Sequence, residues 1–250
     1  MRSTVLALLV LGAAVRLSAG VVYDFRLTTR TSRFEDAVTG RVWVDGDRYR
    51  AEVTRPDQTR QVVISRDRDR NAFFVDPQKK TWSNRVRIGT DVRSASLFRW
   101  PIGQPAVKGR PKVRYSVRPA EPIAGHAAVA HVIETQFVAQ SSVDGTPVRG
   151  TFHLRARIWS APDLPELPME TTLRTGYPEI DAQLDRIVPN VRGMVLRHEL
   201  EVTRTLEGGP EQVEAMTTTV TSLEQTAVPD AQFEVPESFT YVGPEAAGRK

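Results

Sequence analysis

The 250-residue chain contains no cysteine. This absence excludes disulfide bonds, cysteine catalysis and the cysteine-linked lipid of a bacterial lipoprotein, so the fold has to be stabilised by a buried core. No Gly-x-Ser-x-Gly sequence occurs, which removes the local signature of a nucleophilic serine. Aromatic residues make up only 7% of the chain, and they are sparse among the arginines. With no recognised motif, this composition argues against nucleic-acid binding although the net charge is +4.

Long hydrophobic runs are also missing. The apolar run at residues 5–15 is shorter than the roughly 18 residues that a membrane-crossing helix needs. Arg2 precedes it, and small residues follow it at 18–20. This order predicts a secretory signal over residues 1–20, with a retained membrane anchor as the alternative. We therefore expect an exported protein that is soluble and periplasmic after signal cleavage.

The charge is divided unevenly along the chain. Residues 21–120 carry a net charge of +11, and residues 121–250 carry −9. The preferred interpretation is that basic strands of the first half pair with acidic strands of the second. The alternative is a positive face that attracts an acidic envelope partner or anionic lipid headgroups, which would bring the protein into peripheral contact with a membrane.

Strand patterns dominate the rest of the chain. Residues 41–53 predict a hairpin around Gly46, in which Val42 and Val44 share an apolar face. Residues 148–159 alternate in the same way, with four apolar side chains on one face: Phe152, Leu154, Ala156 and Ile158. Short strands joined by tight turns predict one mainly β, antiparallel domain over residues 21–242, followed by a disordered tail at 243–250.

A single amphipathic helix is predicted at residues 178–188. Ile180, Leu184 and Ile187 lie on one stripe of a helix with 3.6 residues per turn. Pro178 suits the first helical turn, and Pro189 ends the helix.

Candidate metal ligands and catalytic carboxylates are few. His126 and His131 are five residues apart on a predicted strand, so their side chains point to opposite faces. Glu199 and Glu201 share a strand face about 7 Å apart, a separation compatible with a glycosidase acid and base, although a solvated strand face is the preferred interpretation. Residues 67–71 resemble the start of a calcium loop, but a charged hairpin tip is favoured.

We therefore expect no enzyme, no metal and no cofactor. A dispersed catalytic set that joins His153 or His198 to carboxylates is the remaining enzymatic alternative.

Four short segments resemble landmarks of LolA/LolB-like envelope domains. They are Gly46-Asp47-Arg48-Tyr49-Arg50, Asp76-Pro77 with Lys80-Thr81-Trp82, Ile123-Ala124-Gly125-His126, and Phe233-x-Val235-Pro236-Glu237-x-Phe239. The resemblance implies a strongly curved antiparallel sheet, an unclosed barrel, with helices on its concave side and an apolar cavity for acyl chains between them. The carriers of this superfamily use several helices, whereas one is found here, so lipoprotein transport itself is not carried over.

Large apolar side chains are the candidate cavity lining. The proposed walls and the proposed lid are Trp43, Phe74, Trp82, Phe152 and Trp159, with Ile180, Leu184 and Ile187. The alternative is that they form solid core. We hypothesise non-catalytic binding or carriage of a hydrophobic or amphipathic ligand, a lipid or a lipidated partner, in the bacterial cell envelope. The competing hypothesis is an interaction module that docks an envelope complex through its charge-split surface.

Overall fold

The computed structural model describes residues 20–32, 34–67, 72–85, 105–143, 145–166 and 173–243. Nearly all of the predicted signal peptide, most of the predicted tail and most of the predicted charged hairpin tip lie outside the described residues.

Thirteen strands, one α-helix and two short 3-10 helices make up the described structure. The strands are β1 (Gly20–Arg30), β2 (Glu35–Asp45), β3 (Arg48–Thr54), β4 (Arg60–Ser65), β5 (Ala72–Asp76), β6 (Thr81–Arg85), β7 (Ala106–Lys108), β8 (Val113–Ile123), β9 (His126–Val143), β10 (Thr146–Ala161), β11 (Met194–Leu206), β12 (Glu211–Thr226) and β13 (Thr240–Tyr241). The helix α1 is Pro178–Ile187, and the 3-10 helices are Val188–Asn190 and Asp230–Phe233.

All the strands belong to one sheet, in the order β13-β6-β5-β4-β3-β2-β1-β12-β11-β10-β9-β7, and β8 also pairs with β9. The pairs are antiparallel except for β13, which runs parallel to β6. The predicted mainly β fold with a large, curved, unclosed sheet is therefore confirmed.

The sheet has two chemically different faces, because side chains alternate along each strand. We call the face that bears Tyr23 and Val42 the inner face, and the face that bears Trp43 the outer face. On β10 the predicted alternation is confirmed, since Phe152 and Leu154 are fully buried while Arg155 is exposed.

The inner face curls around its own core. One buried cluster contains Tyr23 of β1, Tyr49 of β3 and Leu196 of β11, and Ile123 at the end of β8 packs against it. Residues of the intervening strands β2 and β12 belong to the same cluster, so one core runs along the inner face of the curved sheet.

Helix α1 covers the inner face of β9 to β11. Its Ile180 and Leu184 are 0% exposed and belong to a cluster with Phe152 and Ile133. The predicted helix is confirmed, with Pro178 at its first turn. The side chains on its buried stripe therefore pack directly against the sheet, and the space beneath them is filled.

The last described residues form a second cover, on the outer face of β3 to β6. We call residues 228–241 the C-terminal strap. Its Phe233 is 1% exposed and belongs to a cluster with Val62, Ile64 and Val75. The strap ends by adding β13 to the edge of β6.

Charges from the two halves of the chain meet at the C-terminal strap. A guanidinium nitrogen of Arg48 lies 2.7 Å from the Asp230 carboxylate, and one of Arg66 lies 2.8 Å from the Glu234 carboxylate. Arg66 also donates to the backbone oxygen of Phe233 at 3.0 Å. These contacts join basic residues of the first half to acidic residues of the second, but the acidic partners lie in the strap and not in strands.

Candidate functional site

Burial decreases along the inner face of β1 to β5. At one end, a row of paired inner-face residues is buried: Val21, Val44, Tyr49, Ser65 and Ala72. Two residues along the strands, Val63 and Phe74 are a half-buried pair. After two more residues, Phe25 and Val53 are half-buried as well. The inner face is therefore closed at one end and accessible at the other.

The accessible end carries a continuous set of apolar side chains, which we call the inner-face patch. It consists of Phe25, Leu27, Val38, Val53, Val63, Phe74 and Met216, all half-buried. Strand pairing places them side by side, since Leu27 is opposite Val38 and Val63 is opposite Phe74. Apolar surface of this kind can be covered by a ligand because the fold itself leaves it in partial contact with water.

Two polar residues border the patch. His198 of β11 is opposite Thr218 of β12, which in turn is opposite Leu27 of β1. The Nε2 atom of His198 is buried and has no hydrogen-bond partner. Burial lowers the pKa of His198 to about 4, so its imidazole is neutral at pH 7.

Charged side chains of the inner face lie at or beyond the edge of the patch. They are Asp36, Asp76, Arg204 and Glu214. Asp76 accepts hydrogen bonds from the backbone N–H groups of Lys79 and Gln78, which hold its pKa below the ordinary value. Arg204 donates to the side-chain oxygen of Gln212. Three acids and one base give this rim an acidic balance.

The structure divides the predicted lining residues among three places. Phe74 lies in the inner-face patch, whereas Phe152, Ile180 and Leu184 are fully buried beneath α1, with Ile187 packed against their cluster. These last four belong to the filled core of that region.

The three tryptophans of the predicted lining are on the outer face. Trp43 and Trp82 pack against the cluster beneath the C-terminal strap, and the Trp82 ring lies 4.6 Å from that of Tyr241. Trp159 lies apart from them, with the guanidinium carbon of Arg197 4.9 Å from its ring centre. The predicted residues therefore do not line one common space.

Sequence patterns did not predict most residues of the inner-face patch. Alternation puts Leu27 on an apolar strand face and Met216 on a mixed one, but it does not reveal that β1 pairs with β12, nearly 200 residues along the chain. His198 stood out only as an isolated histidine, because its burial depends on the same pairing.

The outer face has a polar groove of about 290 Å³ between β10, β11, β12 and β1. Both glutamates considered as an acid and base pair, Glu199 and Glu201, line it together with Arg155 and Arg157. A guanidinium nitrogen of Arg157 lies 2.5 Å from the Glu199 carboxylate, which also pairs with Arg197. Glu199 is thus already held by two cations.

A serine and a histidine also meet inside the protein. Nδ1 of His131 lies 2.8 Å from the Tyr115 hydroxyl, and Nε2 lies 3.2 Å from Ser160 Oγ. Burial lowers the pKa of His131. Ser160 is 0% exposed, so this network links β8, β9 and β10 internally and offers no hydroxyl to a substrate.

The other histidines are separate from these groups. His126 lies 3.7 Å from the Asp163 carboxylate, and His153 is exposed on the outer face. Across the described ranges, no group of three or more histidine, aspartate or glutamate residues is arranged to hold a metal ion.

The His198 imidazole, half-buried with its Nε2 atom covered, makes stability depend on pH. In the unfolded chain the histidine titrates near 6.5, so between pH 6.5 and 4 the unfolded state binds the proton first, and stability is lost as the pH falls. We expect this residue to contribute a loss of about 2 to 3 kcal/mol between pH 7 and pH 4.5, measured by urea unfolding. His198→Gln should lose that part of the pH dependence, and His153→Gln should retain it. An unchanged slope in His198→Gln would contradict the assignment.

No helix among the described residues combines the length and the apolar character needed to span a membrane. No protein-family model matches the chain, and no curated protein matches it.

Two solved structures show loose similarity. PNGF-II in its C2 crystal form aligns with 90% of this chain at 10% identity and a TM-score of 0.34, and the alignment covers 31% of PNGF-II, so this chain spans about a third of its length. A proposed outer membrane lipoprotein-sorting protein domain from Vibrio parahaemolyticus aligns over 86% of this chain and 89% of its own length, at 10% identity and a TM-score of 0.29. At these TM-scores neither carries an argument about fold or function.

Proposed function

We propose that this protein binds a hydrophobic or amphipathic molecule, without catalysis, on its inner-face patch. The observation that supports this is the burial gradient, which ends in seven apolar side chains that the described fold leaves half-buried on one concave surface. Covering apolar surface is favourable by about 25 cal/mol per Å², so a ligand that lies on the patch gains binding free energy.

The ligand in this proposal is a lipid or a lipid-bearing partner of the bacterial cell envelope. The export signal predicted for residues 1–20 supports this location, and the concave shape supports an elongated occupant. The binding surface differs from the one expected from sequence. It lies on β1 to β5 and β12, because the core beneath α1 is filled by Ile180, Leu184 and their neighbours.

The outer groove supports a second candidate function, an interaction module that docks an envelope protein through charged surfaces. Arg30, Arg155 and Arg157 line the groove together with Glu199 and Glu201. Side chains of both signs favour a partner held by polar contacts, whose binding weakens as salt is added. A salt-sensitive pulldown that Arg155→Ala abolishes would support this candidate over ligand carriage.

The ligand hypothesis is tested by titrating the purified protein with the neutral dye N-phenyl-1-naphthylamine, whose fluorescence rises in apolar sites. We expect saturable binding that Leu27→Gln weakens about tenfold, because a contact with a leucine side chain is worth about 1.5 kcal/mol or more. Arg26→Gln is the matched control, since it changes the adjacent outer-face residue. The proposal fails if the parent protein does not bind the dye, or if both variants bind it equally.

A further inference from the structure

We infer that the ligand of the inner-face patch carries an uncharged hydroxyl or carbonyl head, which hydrogen-bonds to Nε2 of His198, and an apolar chain that lies on the patch. This inference rests on the proposed function and adds the chemical class of the ligand.

His198 lies at the border between the buried core and the inner-face patch. Its neighbours across the sheet are Ile158 on one side and Thr218 on the other. Two residues further along β11, Leu200 is opposite the patch residue Met216 of β12. The imidazole thus stands where the buried core gives way to the half-buried patch. The residue is half-buried although Nε2 itself is covered, so the imidazole has to turn within its site for the head of a molecule that lies over Leu27 to reach that nitrogen.

The Nε2 atom of His198 lacks a hydrogen-bond partner. A buried nitrogen without a partner costs about 1 to 3 kcal/mol relative to a paired one. Nε2 of His198 is such an atom. A neutral imidazole can accept from a hydroxyl or donate to a carbonyl, depending on its tautomer, so a head of either kind would recover this free energy on binding.

An anionic head is unfavourable at His198. Burial causes the lowered pKa of His198, and no charged side chain of the described residues contributes to it. On the inner face of the described strands, the cation Arg204 is six residues along β11, about 20 Å away. A carboxylate at His198 would be removed from water without a counter-ion, which is strongly unfavourable.

A cationic head is unfavourable for the same reason. On the inner face of the described strands, the nearest acidic residue is Glu214, four residues from Thr218 along β12, or about 13 Å. An ammonium group beside His198 would therefore have no carboxylate within contact distance. The rim acids could attract a cation, but only one that remains outside the patch.

The test uses three probes with the same twelve-carbon chain: 1-dodecanol, dodecanoate and dodecyltrimethylammonium. Each competes with N-phenyl-1-naphthylamine, dodecanol below its solubility limit and the two charged probes below their micelle-forming concentrations. We expect dodecanol to displace the dye at a concentration at least about tenfold lower than either charged probe, a ratio that corresponds to about 1.4 kcal/mol. Equal or better competition by either charged probe would overturn the inference.

Variants at His198 separate the head contact from the apolar contact. His198→Phe keeps a ring but lacks Nε2, so we expect the preference for dodecanol over the two charged probes, measured against the variant's own dye affinity, to be lost. His198→Gln restores a hydrogen-bonding group and should recover part of that preference, and His153→Phe on the outer face should leave it intact. If the parent binds the dye but shows no head preference, only this inference falls, whereas a parent that binds no dye removes the proposed function as well.

Discussion

Gly193→Ala is expected to destabilise the protein by roughly 4 kcal/mol or more. Gly193 has a φ of +80°, a conformation that costs free energy for any residue with a Cβ atom. A Cβ atom at this position would also lie 2.0 Å from the backbone oxygen of Ala161. Ala161 is 0% exposed and pairs with Met194 at the start of β11, so neither backbone can move without opening the core.

Gly125→Ala separates the cost of the positive φ from the cost of the close approach to Ala161. Gly125 has nearly the same φ, +82°, but nothing lies within 4 Å of its added Cβ atom. The free energy of unfolding of this variant should fall only by the cost of a positive φ for alanine, about 1 kcal/mol. Urea unfolding of both variants measures the difference, and equal losses would show that the close approach to Ala161 is not a constraint.

Phe233→Ala is expected to cost about 3 to 5 kcal/mol and to loosen the C-terminal strap. The Phe233 ring is 1% exposed, packs with Val62, Ile64 and Val75, and has the guanidinium carbon of Arg48 4.6 Å from its centre. Its removal leaves a cavity and uncovers apolar surface on the outer face. The ion pair between Arg48 and Asp230 cannot compensate, because Asp230 is 85% exposed and surface pairs contribute little.

The effect is measured by urea unfolding together with limited proteolysis of the strap. Phe34→Ala is the matched control, since Phe34 is 57% exposed and its loss should change stability by no more than about 0.5 kcal/mol. We expect cleavage within the strap to accelerate in Phe233→Ala before the rest of the chain is cut. Unchanged cleavage with a stability loss below about 1 kcal/mol would show that the strap is held by other contacts.

Local periodicity accounts for the parts of the fold that were predicted correctly. The alternation in β10 is a property of adjacent residues, and it separated buried Phe152 and Leu154 from exposed Arg155. The stripe of Ile180 and Leu184 in α1 is likewise contained within two helical turns. Such patterns survive folding because each strand or helix buries one face, whichever partner it packs against.

The predicted lining residues show what periodicity cannot predict. Trp43 shares its strand face with Arg41 and Asp45, which places it on the outer face, yet it is half-buried because Phe233 and the rest of the C-terminal strap cover that region. The strap approaches from about 190 residues away along the chain. Aromatic character alone therefore did not distinguish a strap-covered surface from a ligand-binding one.

The amino-acid sequence by itself determined that this protein is built mainly from strands with one apolar and one polar face, carries the amphipathic helix α1 and relies on a core without disulfides, because these properties depend on residue type and short-range spacing. Only the tertiary structure decided which apolar face would be filled, which would be covered by the strap and which would be left accessible around His198. Those outcomes depend on pairing between distant strands, such as β1 with β12, and on the curvature of the whole sheet, neither of which is encoded in any local pattern.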